Sequence, residues 1–166
     1  LNSADQPYKG TAELVEMYGR LRQENPNIRL LMVGFGNRRD RAWLESEGVL
    51  TIINAPAEQM PEIFSTCDIY VTASRWEGFD LPIVEAQSFG KPVVGLNIGA
   101  HPEVVAAEKS GFLATSAEGM AEAIKRLAAD DDLRRKMGQE AESNAARFRW
   151  DDTVDHYERL LHEVVS

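Results

Sequence analysis

Apolar runs alternate with helix-period stretches along most of this 166-residue chain, and that alternation constrains the fold more than any other feature. Ile28 to Val33 is apolar apart from Arg29. Val49 to Asn54, Asp68 to Ala73, Val93 to Leu96 and the short Phe112 to Ala114 continue the series. Near-continuous apolar runs of this length mark strands buried on both faces. Between them, apolar residues recur at helical spacing. Leu14, Val15, Tyr18 and Leu21 set a helix from Thr11 to Glu24. Further helices are expected over Arg39 to Glu47, about Gln59 or Met60 to Thr66 (Met60, Ile63 and Phe64 inward) and Leu81 to Phe89, with a helical turn over Glu103 to Ala107. Such alternation implies an α/β domain, a parallel sheet covered by helices on both faces. Right-handed crossovers gather every strand-to-helix loop on one edge. Lys9-Gly10, Gly34-Asn37, Asn54-Ala55, Glu77-Pro82 and Gly99-Glu103 are therefore expected to line one crevice, where open parallel sheets collect ligands.

From Ser116 onward the pattern is helical. Met120, Ala123, Ile124 and Leu127 form one stripe, and Asp130-Asp131-Asp132 caps a helix from Leu133 to about Arg147. After Phe148-Arg149-Trp150, Asp151 or Asp152 caps a last helix through Val165, with Tyr157, Leu160, Leu161 and Val164 expected inward. Trp43 and Trp150 read as packing anchors, Trp76 as a core or rim residue in preference to a sugar-stacking platform, and His156 and His162 as surface residues. The length suits one domain. A formal net charge of -9 argues against a nucleic-acid surface, which needs clustered Lys and Arg. It leaves room for one phosphorylated small molecule held by local donors. The single cysteine, Cys67, excludes an internal disulfide, fits a reducing compartment and reads as an inert, buried thiol. No apolar run approaches the ~20 residues of a membrane span. No secretory leader is visible, and a cytoplasmic location is expected.

The chemistry concentrates in Glu77-Gly78-Phe79-Asp80-Leu81-Pro82-Ile83-Val84-Glu85, read as a loop leaving a strand's carboxyl end and entering a helix. Gly78 lets a ligand approach the backbone. The helix's first turn offers amides with no intrahelical partner, which suits phosphate. A carboxylate accepts charge-assisted hydrogen bonds from sugar hydroxyls. Phosphate-ready amides between carboxylates fit a nucleotide sugar. The bland alternative reads Asp80 as an N-cap, Pro82 as a first-turn proline and Glu85 as an acid favoured by the helix dipole. Gly34-Phe35-Gly36 resembles a dinucleotide fingerprint, but Arg39 stands where its third glycine belongs, so a plain turn is the better reading. His101, in the Gly99 loop, reads either as a donor contact or as a solvent-exposed loop residue.

The Glu77-Gly78-Phe79-x-Leu81-Pro82-x-x-Glu85-Ala86 run, followed by Gly90-x-Pro92-Val93-Val94 and Gly99-x-x-Pro102-Glu103-Val104-Val105, resembles the carboxyl-terminal half of family 4 glycosyltransferases. Lys9-Gly10, Gly34-x-Gly36, Gly111-Phe112-Leu113 and Phe148-Arg149-Trp150 fall in the same order, so the resemblance spans nearly the whole chain. It implies a Rossmann-like domain, one half of a retaining GT-B enzyme that transfers sugar from a nucleotide-diphosphate donor to an acceptor hydroxyl in glycan biosynthesis. It places Lys9 on the donor diphosphate. Main-chain amides near Gly78, Phe79, Asp80 and Leu81 would hold sugar hydroxyls and diphosphate. Glu77 would meet the transferred sugar, Glu85 the ribose and Asn54-Ala55 the base; the resemblance leaves open whether Glu77 acts chemically. It implies neither cofactor nor metal.

The resemblance also implies that residues 1–166 form one donor domain whose amino-terminal acceptor domain is absent. The last helix would cross toward that domain, any peripheral membrane contact would be made through it, and the fragment alone would be inactive. Three positions depart from the family pattern: Ser3 stands for the usual Arg, Asp80 for a Gly, and Ala100 for the second Gly of its loop. An Asp80 carboxylate near a diphosphate repels it unless it points away or caps the helix. Rival readings are another GT-B enzyme, such as a nucleotide-sugar epimerase or sugar phosphorylase, and a non-catalytic flavodoxin-like module.

Overall fold

The computed structural model describes residues 7–34 and 37–165. The expectations for Ser3, Phe35 and Gly36 lie outside the described residues. After a 3-10 turn at Pro7–Lys9 comes α1 (Thr11–Glu24), then β1 (Leu31–Gly34), α2 (Arg38–Ser46) and β2 (Leu50–Ile53). A second 3-10 turn, Ala57–Gln59, leads into α3 (Met60–Thr66) and β3 (Tyr70–Val71). The chain continues through α4 (Leu81–Ser88), β4 (Val93–Leu96), α5 (His101–Val104) and β5 (Gly111–Ala114), and ends in α6 (Ala117–Ala129), α7 (Asp131–Ala145) and α8 (Trp150–Val165). The first three strands are shorter than the apolar runs that announced them, whereas β4 matches its run and β5 adds Gly111. Ile28, Leu30 and Ile69 pack against the core beside the ladders instead of within them.

Every observed strand pair is parallel, as the alternation required, but the ladders fall into two pieces. β1 pairs with β2, and β3 pairs with β4, which pairs with β5. Among the described residues no strand precedes α1, so the alternation opens on a helix. β1 and β3 each end a ladder, and their residues line a shared cavity of about 780 Å³ with Leu14, Leu21 and Ile124 from α1 and α6.

The two faces of the three-stranded piece are covered separately, following the period-2 alternation of a strand. Val94 and Phe112 pack with Leu14, Met17 and Leu21 of α1 and Met120, Ile124 and Leu127 of α6. Val93, one residue away, packs with Ile83 of α4 and Val104 of α5 on the other side. α2 is held by Leu44, which meets Val15, Tyr18 and Val49. Ile63 and Phe64 of α3 are buried as expected, while Met60 is only partly so.

A buried polar network fixes α4 against α5 and α7. Gln87 Nε2 donates to the Val104 carbonyl at 2.8 Å, and Asn144 Nδ2 donates to Gln87 Oε1 and to the same carbonyl, each at 2.8 Å. The backbones touch where α7 crosses the end of α4. A β-carbon at Gly138 would strike the Gly90 carbonyl.

α8 departs from the sequence reading. Tyr157, Leu160, Leu161 and Val164 are exposed, Val164 by 84%, and Trp150 anchors nothing at 72% exposure. The apolar stripe is real, but no other described element covers it. Trp43 is half-exposed at 40%. His156 and His162 are on the surface, as expected. Cys67 is partly buried, and burial raises its thiol pKa, which fits an inert group. No helix among the described residues is long and apolar enough to cross a membrane.

Candidate functional site

Two glycines clamp the segment after β3. Gly10, the N-cap of α1, has φ 67, and a β-carbon there would strike the Ala73 carbonyl. A side chain at this position would therefore force apart α1 and the strand end. Gly99 has φ 49 and lies as closely over the Glu77 backbone. The first contact brings Lys9 to the carboxyl end of β3; the second backs Glu77 from the β4–α5 loop. Tyr8 tightens the junction by accepting from Arg75 N at 2.6 Å.

Lys9 and Glu77, 68 residues apart in sequence, meet here. Lys9 Nζ donates to Glu77 Oε1 at 2.5 Å, with the side chains 26% and 13% exposed. The pair is thus partly shielded, and each charge is the other's partner. Gly78 is exposed, with open space where a β-carbon would be. Phe79 packs edge-on against Phe148, centroids 5.7 Å apart, which ties the loop to the α7–α8 connector. Trp76 is 70% exposed on the rim. Leu81 begins α4 and is half-exposed.

Asp80 occupies the N-cap position of α4 but does not cap it. Its backbone is left-handed, φ 63 and ψ 66, and its side chain makes no capping hydrogen bond. The carboxylate turns inward instead. Oδ2 lies 3.2 Å from His101 Nε2 and 3.4 Å from Thr72 Oγ1. His101 is fully buried, which corrects its reading as an exposed loop histidine. Its Nδ1 lies 2.7 Å from the Leu96 carbonyl. Burial alone lowers the imidazole pKa. The hydrogen bonds to Asp80 and Leu96 and the charges of Asp80 and Glu77 outweigh that, so the pKa stands above its ordinary value.

Glu85 is exposed on the second turn of α4, past the first turn in which an ordinary dipole-favoured acid would sit. The nearby Tyr70 phenol reports where the carboxylates gather. Burial raises its pKa most, followed by the charges of Asp80, Glu77 and Glu85. Asn54 follows β2 in a left-handed conformation, φ 55, which Asn tolerates, and Ala55 comes next, partly buried.

Of the five loops expected in one crevice, Lys9, Gly34, Glu77, Asp80 and Pro82 bring three to the large cavity. Asn54-Ala55 lies outside its lining, at the end of the other ladder. The Gly99–Glu103 loop supports the site from behind. His101 was the residue that sequence reasoning undervalued; the signal was an acid at position 80, where the family pattern has a glycine. Chemically, the described part of the rim offers the Lys9 amine paired with the Glu77 carboxylate, the amide end of α4 and the exposed carboxylate of Glu85, a set suited to an anion bearing hydroxyl groups.

Comparison with known proteins agrees in fold and family. The glycosyl transferases group 1 family matches residues 3–144. D-inositol 3-phosphate glycosyltransferase of Corynebacterium jeikeium is 31% identical over 174 aligned positions, covering 96% of this chain and 42% of the relative. The crystallised C-terminal domain of a glycosyl transferase group 1 family protein (LpcC) from Francisella tularensis superposes with a TM-score of 0.72 at 26% identity, covering 84% of this chain and 78% of that one. Anabaena Alr3699/HepE, solved in complex with UDP, shares the fold at a TM-score of 0.80 and 22% identity, over 95% of this chain and 46% of that one. This chain spans less than half the length of the curated relatives it matches. Its structural neighbours are GT-B glycosyltransferases, and the chain belongs to the glycosyl transferases group 1 family.

Proposed function

We propose that this domain binds the nucleotide-diphosphate sugar of a retaining, family 4 glycosyltransferase, and that the longer protein transfers the sugar to an acceptor hydroxyl. The observation that carries the reading is the Lys9–Glu77 pair at the rim beside the start of α4. A diphosphate competes with Glu77 for Lys9. When it wins, the amine faces the leaving group and the freed carboxylate accepts hydroxyls of the transferred sugar. As the bond from the anomeric carbon to the phosphate oxygen breaks, negative charge builds on that oxygen. Lys9 and the amides of Phe79, Asp80 and Leu81 stabilise it. Glu85, exposed on the next turn of α4, takes the ribose hydroxyls, and the backbone at Asn54-Ala55 seats the base. The UDP complex of the HepE relative supports a nucleotide of this class.

The acceptor groups belong to the rest of the protein, so the domain alone binds donor without transferring sugar. The bare apolar stripe of α8 suits docking on that remainder. A thermal-shift panel of nucleotides and UDP-, GDP- and ADP-sugars tests the reading, since a ligand of the folded state raises the melting temperature by mass action. At least one nucleotide sugar should stabilise the chain with EDTA present, and Glu85→Ala should lose most of that shift. No shift from any of them would reject the reading.

A further inference from the structure

Asp80 and His101 form a device that the donor reading does not use. An aspartate at an N-cap ordinarily accepts hydrogen bonds from the second and third amides of its helix. At α4 the second residue is Pro82, which has no N–H, and the Ile83 amide donates to the Asp80 carbonyl at 3.0 Å, so the donors toward an anion are the Leu81 amide and the loop amides before it, and a carboxylate turned to that rim would compete with the anion. Asp80 instead sends its carboxylate into the interior, leaving its side chain 6% exposed against a fully buried His101. The opposite ring nitrogen faces the Leu96 carbonyl at 2.7 Å. Both ring nitrogens therefore face oxygen acceptors, an arrangement that only the doubly protonated imidazolium satisfies as donor on both sides. Gly95 on β4 lies beside the ring; a β-carbon there would crowd Thr72 Cγ2 at 3.1 Å and meet Nδ1 at an ordinary contact distance of 3.6 Å. The Gln87–Asn144–Val104 network holds α4 and α5, which carry the two partners, in fixed relation.

Resting on the donor-binding reading, we infer that His101 is a positioning residue: its hydrogen bond withdraws the Asp80 carboxylate from the mouth of α4 and keeps the Leu81 amide and the loop amides before it open to an anionic ligand. Without that bond, the Asp80 carboxylate turns out toward the rim and places a like charge in the anion's path. The groups acting on the ring are Asp80 and Glu77 from the β3–α4 segment, the Thr72 hydroxyl beyond β3 and the Leu96 carbonyl of β4. Lys9 stands behind Glu77, and Glu103 on His101's own helix is exposed. Donor affinity therefore declines as pH rises through the titration of His101.

The test is a double-substitution cycle read by calorimetry with UDP as the probe. His101→Ala should weaken UDP binding by about tenfold or more, as expected for an uncompensated like charge. In an Asp80→Gly background, which retains the main-chain amide, the same substitution should cost almost nothing. Equal losses in both backgrounds would mean that His101 only packs, and would overturn the inference. Should His101→Ala unfold, His101→Gln supplies a neutral donor. It should bind UDP with a flat pH profile where the wild type weakens with rising pH; parallel profiles would be contrary. A readout without ligand separates this idea from the donor reading. By NMR, the His101 imidazole should titrate above the ordinary range and return toward it in Asp80→Asn. An unchanged titration would overturn the pairing even if UDP binds. Failure of UDP to bind any variant, with the titration as expected, would reject the donor reading and leave the pairing standing.

Discussion

His101 is a buried imidazole between two oxygen acceptors, so its protonation is coupled to folding. Its folded-state pKa is raised above the unfolded value. The stabilisation is then fully present below the ordinary histidine pKa of about 6.5 and is lost as pH rises through the higher folded value. Melting temperature measured from about pH 6 to about pH 9 should fall more steeply for the wild type than for Asp80→Asn, which removes the negative partner. Identical slopes would show that the pair contributes nothing. The sequence showed the two residues but not their contact, since 21 positions separate them and no local rule brings an N-cap acid to a histidine on another helix. Lys9 and Glu77 were legible as candidates through the motif, while their direct pairing required the Gly10 and Gly99 contacts that bring the loops together.

At the level of elements, periodicity located nearly every helix. α1 runs from Thr11 to Glu24 as its stripe required, and the Met120–Leu127 stripe of α6 is buried. Strand ends were harder to read. Ile28 and Leu30 are apolar because they pack on the core, and apolarity cannot distinguish packing beside a ladder from membership of it. The Gln87–Asn144 bridge sets the attitude of α4, so Asn144→Ala should strand the buried Gln87 oxygen. A loss of about 1–3 kcal/mol in urea-determined stability is expected, with nucleotide affinity reduced through the displaced helix. α8 makes the opposite case. Its described side chains, from 150 to 164, are all exposed, so deleting residues 150–166 should leave the melting temperature of this chain within about 2 °C of its starting value. A large drop would mean that α8 packs on the body in solution.

Across the whole molecule, the alternation of strand and helix indicated the class and the parallel direction, and of the five loops expected in one crevice three reach the cavity. The alternation did not reveal the division of the ladders, because β1 and β3 are separated by a cavity and not by any feature of their own sequences. That cavity opens beside Lys9, Glu77 and Asp80, so the candidate site stands where the two ladders part. The fold thus provides a carboxyl-end rim whose Lys9 amine must leave Glu77 to meet a diphosphate. Calorimetric titration of UDP-, GDP- and ADP-sugars into the wild type and Lys9→Ala tests this most directly. At least one donor should bind the wild type, and Lys9→Ala should weaken that donor by about tenfold or more, as loss of a charge-assisted contact requires. Equal affinity in the two proteins would contradict the account.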